Sequence, residues 1–189
     1  MLLTRTFSEE SYRRALEDWA WLPLAGKRPI LASLFGDVFF EDGAGIWMLD
    51  VLEGALNHVF PDPEHMAAVL DTEEGQDAYL LAGLALKAER HLGLVPGPGQ
   101  VLAWMVPPAL GGATASENLQ LMDFEVYLSI EGQIRRQIKD LPPGTKIAGF
   151  PSRDSCHNSA HAGPVLRART MLHVQGRSRA ATAHDSCPC

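Results

Sequence analysis

Residues 30–60 read ILASLFGDVFFEDGAGIWMLDVLEGALNHVF and set the character of the fold. Strand-forming apolar residues dominate the stretch, and two polar, glycine-containing breaks interrupt it at residues 41–45 and 53–54. Short apolar runs separated by turn sequences are typical of antiparallel strands. We therefore predict three strands, over residues 34–40, 46–51 and 55–60.

One helix is predicted before this stretch and two after it. Ser8 can cap a helix whose apolar positions recur at helical spacing and which Pro23 ends. Phe7 is placed to pack against Tyr12, as in a hydrophobic staple. The two later helices, which we expect to pack on the sheet, begin at Asp62-Pro63 and at a capping box in residues 71–74, and the second runs through His91 to end at Gly93.

Two further strands and a last helix are predicted beyond residue 100. Residues 101–106 form an apolar run, and in residues 119–128 apolar side chains such as Met122 and Phe124 alternate with polar ones. Ser129 then caps a helix with Ile134 and Ile138 on its apolar stripe. The fold class predicted is α+β, with a small antiparallel or mixed sheet packed by three to four helices.

Charge and composition divide the chain near residue 150. Residues 1–150 carry a net charge of −10, whereas residues 151–189 carry +3 and hold all three cysteines, four of the seven histidines and no aromatic residue. A segment without aromatics buries too little apolar surface to offset its ordering entropy. We predict a single α+β domain over residues 1–150 and a disordered Arg/His/Cys-containing tail over residues 151–189.

Sequence signatures of catalysis are absent. The chain has no G-x-S-x-G elbow, Walker loop, dinucleotide fingerprint or H-E-x-x-H motif. Asp123 and Glu125, two residues apart on a predicted strand, form a pair that fits either general acid–base work or a solvated sheet face. The prolines in residues 93–99 lack the backbone N–H groups that a phosphate loop requires. We predict a protein that is not an enzyme and needs no cofactor.

The tail contains the soft ligands that zinc prefers, but in no recognised arrangement. Their spacing matches no zinc module, and closing the loop between the two groups costs entropy. The alternatives are a structural zinc site and a reduced, unstructured tail, and we predict the second, with no metal. The residues concerned are Cys156, His157, His161, His184, Cys187 and Cys189.

Hydropathy and charge also restrict location and partners. No apolar run approaches the ~20 residues of a membrane helix, and the N-terminus lacks the pattern of a secretory signal. We therefore expect a cytoplasmic protein that does not bind membranes. A body of net charge −10 repels nucleic acid directly and favours a basic partner.

Several stretches together resemble a known bacterial family. They are Phe35-Gly36-Asp37-Val38-Phe39, Ile46-Trp47-Met48-Leu49-Asp50 and the run from Pro107 to Gly112, with similar stretches at residues 74–77, 81–85, 117–118 and 140–144. Over residues 8–150 the chain resembles the family typified by the C-terminal domain of type VI secretion immunity proteins. Characterised members neutralise a co-encoded DNase toxin.

This resemblance implies a non-enzymatic protein that binds and neutralises a cognate, basic DNase toxin. The alternatives are a protein-interaction or regulatory module of the same fold without a toxin, and an enzyme that uses the acidic residues around the hairpins. Oligomeric state is left open. The predicted partner contacts are the carboxylates of Asp37, Glu41, Asp42, Asp50 and Glu53, with Trp47 as the apolar anchor.

Overall fold

A computed structural model describes residues 2–142 and residue 145, and its central element is a five-stranded antiparallel sheet in the order β1-β2-β3-β4-β5. A separate two-stranded hairpin, β6-β7, is joined to this sheet through a hydrogen bond from the Leu102 N–H to the Leu34 carbonyl, 2.7 Å. The strands are β1 Thr4–Arg5, β2 Arg28–Ser33, β3 Val38–Asp42, β4 Gly45–Asp50, β5 Ala55–Phe60, β6 Gln100–Trp104 and β7 Leu119–Asp123.

The described residues contain five α-helices; the predicted caps Ser8 and Asp62 begin two of them, and Thr72, inside the predicted capping box of residues 71–74, begins a third. The side chains of Ser8, Asp62 and Thr72 each accept a hydrogen bond from a backbone N–H in the first helical turn. Gly93, at φ +66°, ends the fourth helix as predicted. The helices are α1 Glu9–Ala15, α2 Pro63–Leu70, α3 Glu73–Leu80, α4 Ala82–Leu92 and α5 Phe124–Ile138.

Two predicted helices are shorter than expected. The first was predicted to reach Pro23, but α1 ends at Ala15 and a 3₁₀ turn over Glu17–Trp19 follows. The long helix predicted through His91 is broken at Leu81, whose φ of +51° lies in the left-handed region that bulky residues avoid. Neither glycine nor proline stands at this break, so no turn signal in the sequence marks it.

Of the three strands predicted in residues 34–60, the last agrees with β5, and the first two are displaced along the sequence from β3 and β4. Prediction and structure agree over Ala55–Phe60, whereas residues 34–37 form the turn between β2 and β3. Gly36 makes this turn at φ +89°, where a Cβ would meet Leu128 and Tyr127 side-chain atoms at 2.9–3.1 Å. The strand β2 was not predicted.

The prediction for residues 119–128 is wrong in its second half. Asp123 caps α5, accepting hydrogen bonds from the N–H groups of Glu125 and Val126. From Phe124 onward the buried positions have helical spacing rather than alternation: Phe124, Tyr127, Leu128, Glu131 and Ile134 are buried. Ser129 therefore lies inside the helix and does not cap it.

Helices cover both faces of the five-stranded sheet, which confirms the α+β class. Alternation along β3 directs Val38 and Phe40 to a core shared with α1 and α5, and Phe39 to a second core shared with α2 and α3. Trp19 is fully buried in the first core, where its indole N–H donates to the Leu128 carbonyl at 2.9 Å.

Some predictions concern the part of the chain beyond the described residues. The tail prediction and its zinc alternative fall on residues 151–189, outside residues 2–142 and 145. Among the helices that the structure describes, none is long and apolar enough to cross a bilayer.

Candidate functional site

Asp37 does not lie on the surface where the sequence placed it. Its side chain is 8% exposed, and its two oxygens accept hydrogen bonds from the Ser33 hydroxyl at 2.7 Å and the Val51 N–H at 3.0 Å. Burial raises the pKa of Asp37 to about 6 despite these hydrogen bonds. Asp37 therefore joins the β2–β3 turn to the end of β4, and the prediction of a partner contact is corrected.

Glu41 and Asp42 are paired with basic residues of the chain itself. Glu41 forms an ion pair with Arg28, and Asp42 forms one with Lys27, both across the β2–β3 edge. The Lys27 ammonium, followed by the Ala44 N–H, lowers the pKa of Asp42 to about 2. Their charges are largely compensated locally, which weakens the prediction that they attract a basic partner.

Trp47 lies on β4 and is half-buried under a lysine. The Lys27 ammonium sits 3.6 Å from the centroid of its ring, and the His58 ring meets it edge-on at 5.0 Å between centroids. The side chain faces the same core as Phe40, its partner in the β3–β4 register. Its role as an apolar anchor stays a prediction.

Asp50 is the last residue of β4, and Glu53 lies in the turn between β4 and β5. The Asp50 carboxylate accepts a hydrogen bond from the Glu53 N–H at 2.8 Å, while the Glu53 side chain is exposed. Asp50 also lines a small cavity of about 70 Å³ together with Ala78 and Tyr79 of α3. The end of β4 therefore lies beside α3, which carries the exposed carboxylates of Glu73, Glu74 and Asp77.

The most acidic surface lies on α2 and α3, which the sequence analysis did not single out. Residues 29–86 contain eleven Asp and Glu and no Lys or Arg, a signal that a count by segment would have found. No ion pair recorded within residues 2–142 involves the carboxylates of these helices and their caps. We call the exposed carboxylates Asp62, Glu64, Asp71, Glu73, Glu74 and Asp77 the acidic layer.

The acidic layer is held in place by the second core. Met66 of α2 and Leu80 of α3 are buried there against Phe39, Ile46 and Phe60. Both helix starts are fixed, because Asp62 accepts from the His65 N–H at 2.7 Å and Thr72 accepts from the Gly75 N–H at 3.0 Å. The layer is therefore a negatively charged surface that packs on one face of the sheet.

Glu131 is a buried carboxylate that the sequence analysis missed. It is 1% exposed, and within the described residues its Oε1 atom has no hydrogen-bond partner. Burial raises the pKa of Glu131 to about 7, against the opposing influence of Arg135 one turn later. A helix capped by Ser129, as the sequence predicted, has Glu131 in its first turn and off the apolar stripe, so the prediction did not indicate burial of Glu131.

The predicted acid–base pair lies at the start of α5. Asp123 uses its carboxylate to cap the helix, and Glu125 lies in the first turn with its carboxylate 3.8 Å from Arg14. These roles are structural, which argues against the catalytic alternative for this pair. Within the described residues, no group of three or more His, Cys, Asp and Glu is arranged to hold a metal ion.

Comparison with solved structures gives a distant similarity. No family model matches the chain, and no curated protein matches it. A crystal structure of Atu4351 from Agrobacterium tumefaciens is similar at 16% sequence identity and a TM-score of 0.49. The match covers 69% of this chain and 66% of that chain, so the chain spans just under two thirds of that protein's length.

Proposed function

We propose that this chain is a non-enzymatic, immunity-type protein that binds and neutralises a cognate toxin of a type VI secretion system, namely a DNase with a basic surface. The observation that carries the proposal is the acidic layer, six exposed carboxylates in a segment without Lys or Arg. A DNase holds phosphates with Lys and Arg, and a surface of carboxylates complements those cations. The resemblance of residues 8–150 to immunity proteins supports the same partner class.

We place the contact on the acidic layer rather than on the predicted hairpin. Asp37 is buried, and Glu41 and Asp42 are paired, so little of the exposed charge comes from β3. The acidic layer, with Asp50 beside α3, offers the larger uncompensated charge. In this proposal the protein acts in the cytoplasm, covering the DNA-binding surface of the toxin before it reaches the chromosome.

Electrostatic attraction of this kind acts mainly on the rate of association. Oppositely charged surfaces steer two proteins together and raise the association rate by roughly 10- to 1,000-fold at low salt. Exposed charges are screened beyond ~8 Å at physiological ionic strength. We therefore expect association that slows steeply as salt is added, with dissociation set by apolar contacts.

Reversing charge in the acidic layer is the test of this function. The variant Glu73→Lys/Glu74→Lys should bind the catalytically inactivated DNase encoded beside the gene with an association rate roughly 10-fold lower than the wild type, and with a shallower salt dependence. Stopped-flow or surface-plasmon measurements across a salt series give both quantities. The matched control is Glu117→Lys/Asp140→Lys, which makes the same change of net charge at exposed positions outside the layer.

Thermal unfolding must accompany the binding measurement, because Glu73 and Glu74 lie in the first turn of α3, where carboxylates stabilise a helix by up to ~1 kcal/mol each. A folded variant that associates at the wild-type rate would show that the layer is not the contact surface. Failure of the wild-type protein to bind or protect against the neighbouring DNase would refute the toxin-binding function itself.

A further inference from the structure

An open groove lies on the opposite face of the sheet from the acidic layer. It runs between α1 with its following 3₁₀ turn and the segment of residues 22–29, and it has a volume of about 690 Å³. Pockets for small molecules typically measure ~300–1,000 Å³. Its apolar lining comprises Tyr12, Leu16, Ala20, Leu22, Pro23, Leu24, Ala25, Pro29 and Phe40.

The three cations that line the groove are already engaged. Arg13 forms two hydrogen bonds with Glu10, at 2.7 and 2.8 Å. Lys27 is paired with Asp42 and covers the Trp47 ring, and Arg28 is paired with Glu41. An anionic ligand would have to displace one of these partners to find a positive charge.

Two carboxylates on the same wall remain available. Glu9 and Glu17 line the groove, both are exposed, and neither takes part in an ion pair recorded within residues 2–142. Tyr12 and Phe40 also line the groove, and both are almost fully buried. The groove thus combines an apolar lining with two exposed carboxylates, of which Glu17 also interacts electrostatically with Arg13 and Glu9 does not take part in an ion pair recorded within the described residues.

We infer that this groove is a binding site for a small hydrophobic amine. The apolar body lies on the Leu16, Leu22 and Leu24 side of the groove, and the ammonium group is held by Glu9 or Glu17 at the rim. The volume corresponds to a compact ligand rather than to the flat surface of a protein partner. Because the acidic layer lies on the other face of the sheet, this site does not depend on the proposed toxin-binding function.

A matched pair of ligands tests the inference on the full chain. The probes are 4-phenylbutylamine and 4-phenylbutyrate, which share an apolar body and differ in the sign of their charge. Titration by isothermal calorimetry, with NMR shifts to locate the site, should show the amine binding at least about 10-fold more tightly, a difference of ~1.4 kcal/mol. In Glu9→Gln/Glu17→Gln, the two affinities should converge.

A second experiment fills the groove with a large side chain. Ala20 is exposed and lines the groove, so Ala20→Trp should abolish amine binding, whereas Ala68→Trp, at an exposed position of α2, should leave it unchanged. If Ala20→Trp does not fold, Ala25→Trp blocks the same groove from its other side. Three results would each overturn the inference: equal affinity for the two probes, no amine binding at about 10 mM, or unchanged amine binding in Ala20→Trp.

Discussion

Replacing Glu131 with Gln is expected to stabilise the protein at pH 8 by about 3 kcal/mol, while leaving its stability near pH 4 little changed. Glu131 is buried in α5, and its pKa is raised to about 7 by that burial. At pH 8 the folded protein must hold an ionised carboxylate with an oxygen that lacks a partner within the described residues. A neutral amide of the same shape avoids the cost of burying that charge.

The sign follows from proton linkage. The folded-state pKa of Glu131 lies above its ordinary value of 4.5, so the folded state binds the proton more tightly than the unfolded chain. The contribution to stability is fully present below pH 4.5 and is lost as the pH rises through about 7. Asp37, with a pKa of about 6, adds a loss of the same sign over a slightly lower range.

Urea unfolding at pH 4, 6 and 8 measures this effect. The free energy of unfolding of the wild type should fall across this range, and the fall should be smaller in Glu131→Gln by about 3 kcal/mol. Glu117→Gln, at an exposed position, is the control and should leave the pH dependence unaltered. Parallel curves for the wild type and Glu131→Gln would mean that Glu131 does not titrate near neutrality in the folded protein.

Replacing Asp37 with Ala is expected to have the opposite effect, a loss of about 2–4 kcal/mol. Although both carboxylates are buried, the oxygens of Asp37 accept hydrogen bonds from the Ser33 hydroxyl and the Val51 N–H. Alanine would leave both buried donors without their acceptor and would release the β2–β3 turn from β4. Asp37 and Glu131 therefore differ in the expected effect of replacement, because the buried oxygens of Asp37 have hydrogen-bond partners and Oε1 of Glu131 has none within the described residues.

Chemical denaturation at pH 5 measures the loss of unfolding free energy in Asp37→Ala. At this pH the carboxyls of Asp37 and Glu131 are mostly protonated in the folded state, so their titration interferes least. The control is Glu53→Ala, an exposed carboxylate in the β4–β5 turn, which should change stability by no more than ~0.5 kcal/mol. A change at Asp37 as small as that of the control would show that its hydrogen bonds contribute little.

Local signals account for the parts of the fold that the sequence predicted correctly. Caps act within one helical turn, so Ser8 and Asp62 could be identified from a few neighbouring residues, and the capping box in residues 71–74 located the start of α3. The strand β5 is bounded by Gly54 and Pro61, which are turn residues. By contrast, the break at Leu81 depends on packing between distant elements, and sequence periodicity carries no information about it.

The error at residues 119–128 has an identifiable cause. Phe124, Val126 and Leu128 alternate with polar residues as a strand would, but Phe124, Tyr127 and Leu128 also match helical spacing. Such short apolar patterns fit both periods, and tertiary context decides between them. Asp123, placed directly before the helical set, was the cap signal that would have favoured the helix.

The candidate site was only partly predictable for a related reason. Since β2 was not predicted, the sequence could not reveal that Lys27 and Arg28 lie beside Asp42 and Glu41. Nor could it show that Asp37 points into the core, because acidic residues are mostly exposed in proteins. The acidic layer, in contrast, was visible in composition alone, as the absence of Lys and Arg from residues 29–86.

The hydrogen bond between Trp19 and Leu128 has a consequence for synthesis on the ribosome. The two residues are 109 positions apart, and Asp18 likewise reaches Ser129 of α5. At typical translation rates of ~5–20 residues per second, roughly 5–20 s separate the emergence of the two partners. For that interval the nascent chain exposes Tyr12, Ala15 and Trp19, the apolar side chains that α5 covers in the folded protein.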